Sequence, residues 1–238
     1  MSAKPIALVV GTGPGLGASL ARRFGREDRH VVLASRQRNH IDPVVEQIVA
    51  NGGSAEGHPL DATDEAAVER LFDWLDATGV PLDLAVYNAG AFMRTSILEA
   101  SAADFERCWR IGCLGGFFVG RAAAKRMATR GAGTILFTGA TASRRGSAMF
   151  FNLAVGKFGL RALAESMARE LQPKGVHIAH IVIDGQIASE RYAQLAKDRP
   201  PDGLLDPDAI AETYWQLHRQ PRSAWTFELE VRPWVEKF

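Results

Sequence analysis

"IALVVGTGPGLG" occupies residues 6–17, and the fold class turns on how it is read. Ile6 to Val10 are five consecutive apolar residues, the pattern of a strand buried on both faces. Glycines follow at 11, 13, 15 and 17, and from residue 16 the apolar spacing becomes helical. A glycine pattern alone says little. Between a strand and a helix it has the context that a phosphate-binding turn requires. Gly11 permits the tight turn, Gly15 lets backbone come close to a pyrophosphate, and Gly17 lets the helix pack on the strand. Thr12, Gly13 and Leu16 complete the loop, and the helix N-terminus offers its free N–H groups to the anion. The plainer alternative is an ordinary glycine-rich turn.

The next strand-like run, 31–35, ends in Ser35 and Arg36, with Arg38 close behind. Dinucleotide folds that hold NAD place a carboxylate at this point on the ribose 2′-hydroxyl. Serine removes it, and a guanidinium suits a 2′-phosphate by forked hydrogen bonding. This predicts NADP(H) in preference to NAD(H), unless Arg36 and Arg38 are only surface charges.

Further along, short β-type runs at 54–58, 82–87, 134–138 and 176–184 alternate with helical stretches near 41–51, 64–78, 101–130 and 152–172. A helix at 209–219 and a last strand at 225–231 close the chain. Strand and helix in alternation predict an α/β fold, a Rossmann-like doubly wound parallel sheet with helices on both faces. Residues 1–238 are expected to form a single domain, with a lid or loop near 186–206 where the Pro/Asp-rich "KDRPPDGLLDPD" falls.

The bulk composition narrows the function classes. The 238 residues are 47% hydrophobic and 23% charged, with a net charge of +1. That charge leaves no electrostatic footprint for nucleic acid or an anionic membrane. Cys108 and Cys113 are expected on different faces of one helix, unpaired, which suits a reducing compartment. No zinc spacing is present. The apolar run at 6–10 is too short for a signal peptide or a membrane span, so a cytoplasmic protein with a small-molecule substrate is expected.

Several further stretches resemble the short-chain dehydrogenase/reductase family over nearly the whole length. Gly11-x-x-x-Gly15-x-Gly17 is similar to that family's phosphate loop. Asp61 and Ala62, in "LDATD", resemble its adenine-contacting segment, and Asn88, Ala89 and Gly90, in "YNAG", its cofactor-supporting turn. "IGCLGGFF", "GTILFTGATAS" and "KFGLRALAESMAREL" fall where the family carries its catalytic asparagine, serine and lysine. The resemblance implies a seven-stranded parallel sheet, and a homodimer or homotetramer built on the helices near 101–130 and 152–171. It also implies that Lys157 binds the nicotinamide ribose and that Gly185, in "VIDG", lies against the cofactor.

The catalytic positions depart from that pattern. Leu153 stands where the tyrosine belongs, Ala140 where the serine belongs and Gly112 where the asparagine belongs. Only Lys157 is retained. The chain resembles an atypical branch of the family without the tyrosine. Losing a positioned proton donor typically costs ~10²–10⁴-fold. Thr138, Thr141, Asp184 and Tyr192 are candidate substitutes, each with a plainer local role available as turn former, local hydrogen-bonder or lid packing. Gly112, Gly115 and Gly116 suggest a kink or a close helix contact, with a subunit interface as one place for it. Two function classes follow: an NADP-dependent oxidoreductase acting on a small carbonyl or conjugated alkene, or a non-catalytic NADP-binding sensor or partner subunit.

Overall fold

The computed structural model describes residues 4–236. Ile6–Val10 is β1, and all five side chains are buried. They alternate between two cores. Ile6, Leu8 and Val10 face one, and Ala7 and Val9 face the other. The remaining strands are β2 (His30–Ser35), β3 (Ser54–Pro59), β4 (Leu82–Tyr87), β5 (Gly133–Thr138), β6 (Val176–Ile183) and β7 (Glu228–Val231). They form one seven-stranded sheet in the order β3-β2-β1-β4-β5-β6-β7, parallel throughout. The predicted Rossmann-like class is therefore observed.

The helices are α1 (Leu16–Gly25), α2 (Asp42–Ala50), α3 (Glu65–Ala77), α4 (Ala102–Trp109), α5 (Gly115–Arg130), α6 (Phe151–Leu171), α7 (Ala193–Asp198) and α8 (Pro207–His218). Buried residues of α1, α2 and α8 pack on one face of the sheet, and those of α3, α5 and α6 on the other. Local chemistry sets several of the boundaries. Asp64 caps α3 by accepting from Ala67 N at 3.1 Å, and Ser101 caps α4 by accepting from Asp104 N at 3.1 Å. Gly131, left-handed at φ +71°, ends α5.

One expectation needs correction. The stretch 101–130 is not one regular helix. A π-helical turn, Arg110–Leu114, separates α4 from α5. The Tyr87 hydroxyl donates to the Ile111 carbonyl in this turn at 2.6 Å. The close helix contact expected of the glycines here is found within the chain. A Cβ on Gly112 would stand 3.2 Å from Gly156 Cα in α6. One on Gly115 would strike the Tyr87 hydroxyl, and one on Gly116 would strike Leu160. The region 186–206 holds the short α7 and a bridge between Ile187 and Leu205. No helix among the described residues is long and apolar enough to cross a membrane.

Candidate active site

Chain order sets the site. After β1 the strands step outward through β2 to β3, then the chain returns to lay β4 on the other side of β1. The loops after β1 and β4 diverge at that point, and open α/β sheets bind ligands in such a crevice. A cleft of about 220 Å³ lies there. Gly11, Thr12, Gly13, Ser35, Arg36, Asp61, Ala62, Asn88, Ala89 and Gly90 all line it. Residues from four loops, chosen from sequence as cofactor ligands, thus share one cavity.

The turn after β1 is tightly built. Gly11 sits at φ +95°, in the region that favours glycine. Its N–H and that of Thr12 donate to the Ala34 carbonyl at 2.9 and 3.2 Å. Asn88 Nδ2 donates to the Gly11 carbonyl at 3.0 Å, tying the β4 loop to the β1 loop. A Cβ on Gly17 would meet Gly11 O at 2.6 Å, whereas Gly13 and Gly15 have nothing within 4 Å of that position. Two glycines therefore allow close packing, and two leave backbone open to a ligand. This is the form of a pyrophosphate cradle, with Leu16 buried at the head of α1.

On the β3 side of the cleft, Asp61 Oδ1 accepts from Thr63 N and Oγ1 at 2.9 and 2.8 Å, which fixes the loop after β3. Arg36 is exposed on the cleft wall and forms no ion pair among the described residues. Arg38 differs, since it pairs with Asp42 at 3.5 Å.

Lys157 enters from α6 and is 5% exposed. Its Nζ donates to the Thr138 carbonyl at the end of β5, at 2.6 Å. A Cβ on Gly90 would lie 3.6 Å from that nitrogen, so the ammonium stands beside the Asn88–Gly90 turn. Burial lowers its pKa to about 8. Behind it, fully buried His180 holds Glu228 at 3.0 Å through Nδ1, and Glu228 accepts from Arg161 Nε at 2.6 Å. Burial pushes His180 down to about 4, and the charges of Lys157 and Arg161 act in the same direction against Glu228.

A second cleft, about 600 Å³, opens on the far side of the α1 N-terminus. Leu153 and Ala140 line it, with Thr141, Gly185 and Tyr192. Phe92 and Phe150 stack in its wall with centroids 4.9 Å apart. The side chains where a catalytic tyrosine and serine would stand are thus apolar surface of the cleft.

The substitute proton donors are placed as follows. Thr138 requires a correction. Its buried hydroxyl contacts Asn88 Oδ1 at 3.0 Å and the Tyr214 hydroxyl at 2.8 Å, and is not presented to the larger cleft. Asp184 is 4% exposed, and its carboxylate is held from both sides. Thr141 donates to Oδ1, and Arg232 Nη2 donates to Oδ2 at 2.9 Å. These contacts tie the loop after β6 to the end of β7. Gly185, at φ +144°, packs against Pro233.

Sequence reasoning missed Tyr214, Arg232, Phe92 and Arg145 at or behind this site. The Thr138–Tyr214 and Asp184–Arg232 contacts join residues 76 and 48 apart in the chain, and neither pair has a local motif. The Phe92–Phe150 stack likewise joins residues far apart in the chain.

The geometry agrees with comparisons to known proteins. The model of the short chain dehydrogenase family matches residues 5–199. A crystal structure of a short-chain dehydrogenase from Rhodopseudomonas palustris is 40% identical, covers 97% of this chain and 99% of its own, and superposes with a TM-score of 0.85. A metagenomic short-chain oxidoreductase in complex with NADP is 26% identical over 98% of this chain and 99% of its own, also at 0.85. Among curated relatives, 2-dehydro-3-deoxy-D-gluconate 5-dehydrogenase of Formosa agariphila is 28% identical over 82% of this chain and 74% of its own. Versicolorin reductase 1 of Dothistroma septosporum is 29% identical over 83% and 75%. The chain belongs to the short-chain dehydrogenase/reductase family, whose members are nicotinamide-dependent oxidoreductases.

Proposed function

We propose that the chain is an NADP-dependent oxidoreductase that reduces a small carbonyl or conjugated alkene without the family's tyrosine. One observation carries the reading. The phosphate turn, Arg36, the Asn88–Gly90 turn and Lys157 meet along one edge of the sheet, while Leu153 makes the substrate side apolar. The NADP bound by the metagenomic relative supports a nicotinamide cofactor in the same crevice.

The bound cofactor supplies the hydride. Gly13, Gly15 and the α1 N-terminus would hold its pyrophosphate, and Arg36 would hold a 2′-phosphate. Lys157 would bind the nicotinamide ribose, a role that needs no tyrosine. Its ammonium stands one helical turn after Leu153 on α6. Through a water it could give a proton to the atom that reduction leaves anionic, because burial has weakened its hold on that proton. Thr141 keeps its hydroxyl on Asp184, which fixes the loop after β6.

The apolar Leu153 also favours the second reading, an NADP-binding sensor or partner subunit without turnover. We further propose a cytoplasmic homodimer or homotetramer. Single-turnover oxidation of NADPH against ketones, quinones and enoyl thioesters separates the two readings. The first expects consumption of NADPH with at least one class, and its loss in Lys157→Ala. NADPH that binds yet is never oxidised makes the second reading correct.

A further inference from the structure

Arg145 lies between the end of β5 and the start of α6, on the wall of the larger cleft. Its neighbour Arg144 is committed to Glu230 at 2.8 Å, but Arg145 forms no ion pair among the described residues. No aspartate or glutamate lines this cleft among the described residues. Asp184, next to the lining residues Ile183 and Gly185, is 4% exposed and already taken up by Thr141 and Arg232. The cleft therefore offers one positive charge and no negative one. The wall around that charge is largely apolar, with the Phe92–Phe150 stack, Leu153 and Ile187.

A guanidinium at an apolar cleft is matched by a planar anion on an apolar body. The fork accepts a carboxylate through two parallel hydrogen bonds, and the aromatic wall buries the rest. We infer that the cleft takes an organic carboxylate, its apolar body on Phe92, Phe150 and Leu153 and its acid group on Arg145, which acts as a specificity-determining residue. This rests on the reading above, in which the larger cleft is the substrate side. Gly15 and Leu16 line the same cleft, so a contact of Arg145 with the cofactor's pyrophosphate is the competing role, and the test separates the two.

The probes are 3-phenylpropionate and 3-phenylpropionamide, close in shape and different in charge. Their binding to the full chain saturated with NADP⁺ is measured by calorimetry. The acid is expected to bind about tenfold more tightly than the amide, equivalent to about 1.4 kcal/mol. Arg145→Gln should remove that difference while leaving amide and NADP⁺ affinity unchanged, and Arg145→Lys should keep part of it. Equal binding of acid and amide, no binding of the acid, or an acid preference that survives in Arg145→Gln overturns the inference. So does a loss of NADP⁺ affinity in Arg145→Gln, which would assign the arginine to the cofactor. Should wild-type protein fail to bind NADP⁺, the proposed function falls by itself. The acid–amide comparison on cofactor-free protein then decides the role of Arg145.

Discussion

Leu153 stands one helical turn before Lys157 on α6, and the difference between them sets the chemistry open to this site. A leucine has no proton to give. Lys157, buried and titrating at about 8, is mostly ammonium at neutral pH and loses its proton just above it. If that proton feeds the reduction, kcat should be flat below about pH 8 and fall as pH rises through it, since the deprotonated amine has nothing to donate. A pH–rate profile flat through that region would remove Lys157 as the proton source. The same geometry predicts what repair would do. In Leu153→Tyr with Ala140→Ser, the new phenol lies near the ammonium, which favours the phenolate and lowers its pKa. Ketone reduction should rise by at least about tenfold, only ~1.4 kcal/mol of barrier. Gly112 limits the gain, because it has no side chain to order the water that asparagine serves in the family. A double variant that binds NADPH normally and reduces no ketone would show that the pocket has diverged beyond these two side chains.

At the scale of elements, the run from α4 to α5 and the facing α6 define both the inside and the outside of the molecule. Inside, Gly112 against Gly156 and Gly116 against Leu160 bring the π-turn and α5 close to α6, which holds Lys157 near the end of β5. Outside, Phe117 on α5 and Val155 and Phe158 on α6 are 37%, 43% and 44% exposed. A groove between these helices is lined by Phe117, Leu163 and Met167 together with the charged Arg121, Lys125, Glu170 and Lys174. Neighbouring apolar side chains left open on two packed helices fit a self-complementary contact with a second copy. Light scattering at micromolar concentration should therefore report a dimer or tetramer, and Phe117→Asp should shift it toward smaller species. A wild-type monomer would contradict this.

For the whole molecule, the sequence made the sheet legible because its signals are local. Apart from the half-buried edge strands β3 and β7, the parallel strands are short, largely apolar runs, and the phosphate turn sits between one strand and the next helix, so neighbouring residues alone identify it. Arg36 and the Asn88–Gly90 turn could be placed in one cleft because parallel topology carries every strand's carboxyl end to the same edge. What depends on distant partners was not legible. Thr138 looked available as a donor until Tyr214 of α8 was seen at its hydroxyl, and Asp184 looked like a free acid until Arg232 was seen beside it. Composition and spacing carry no record of such contacts. The glycines at 115 and 116 signalled a close contact, but not its partners, Tyr87 and Leu160, which belong to β4 and α6.

The central claim is that this crevice holds NADP, with Arg36 on the 2′-phosphate and Lys157 on the ribose. Fluorescence titration of NADPH and NADH against wild-type protein, Arg36→Ala and Lys157→Ala tests it most directly. Wild-type protein should bind NADPH at least about tenfold more tightly than NADH, as a charge-assisted contact worth about 1.5–3 kcal/mol would give. Arg36→Ala should abolish that preference without weakening NADH, and Lys157→Ala should weaken both cofactors alike, because both carry the same nicotinamide ribose. Equal affinity for the two cofactors, unchanged by Arg36→Ala and by Lys157→Ala, would contradict the account.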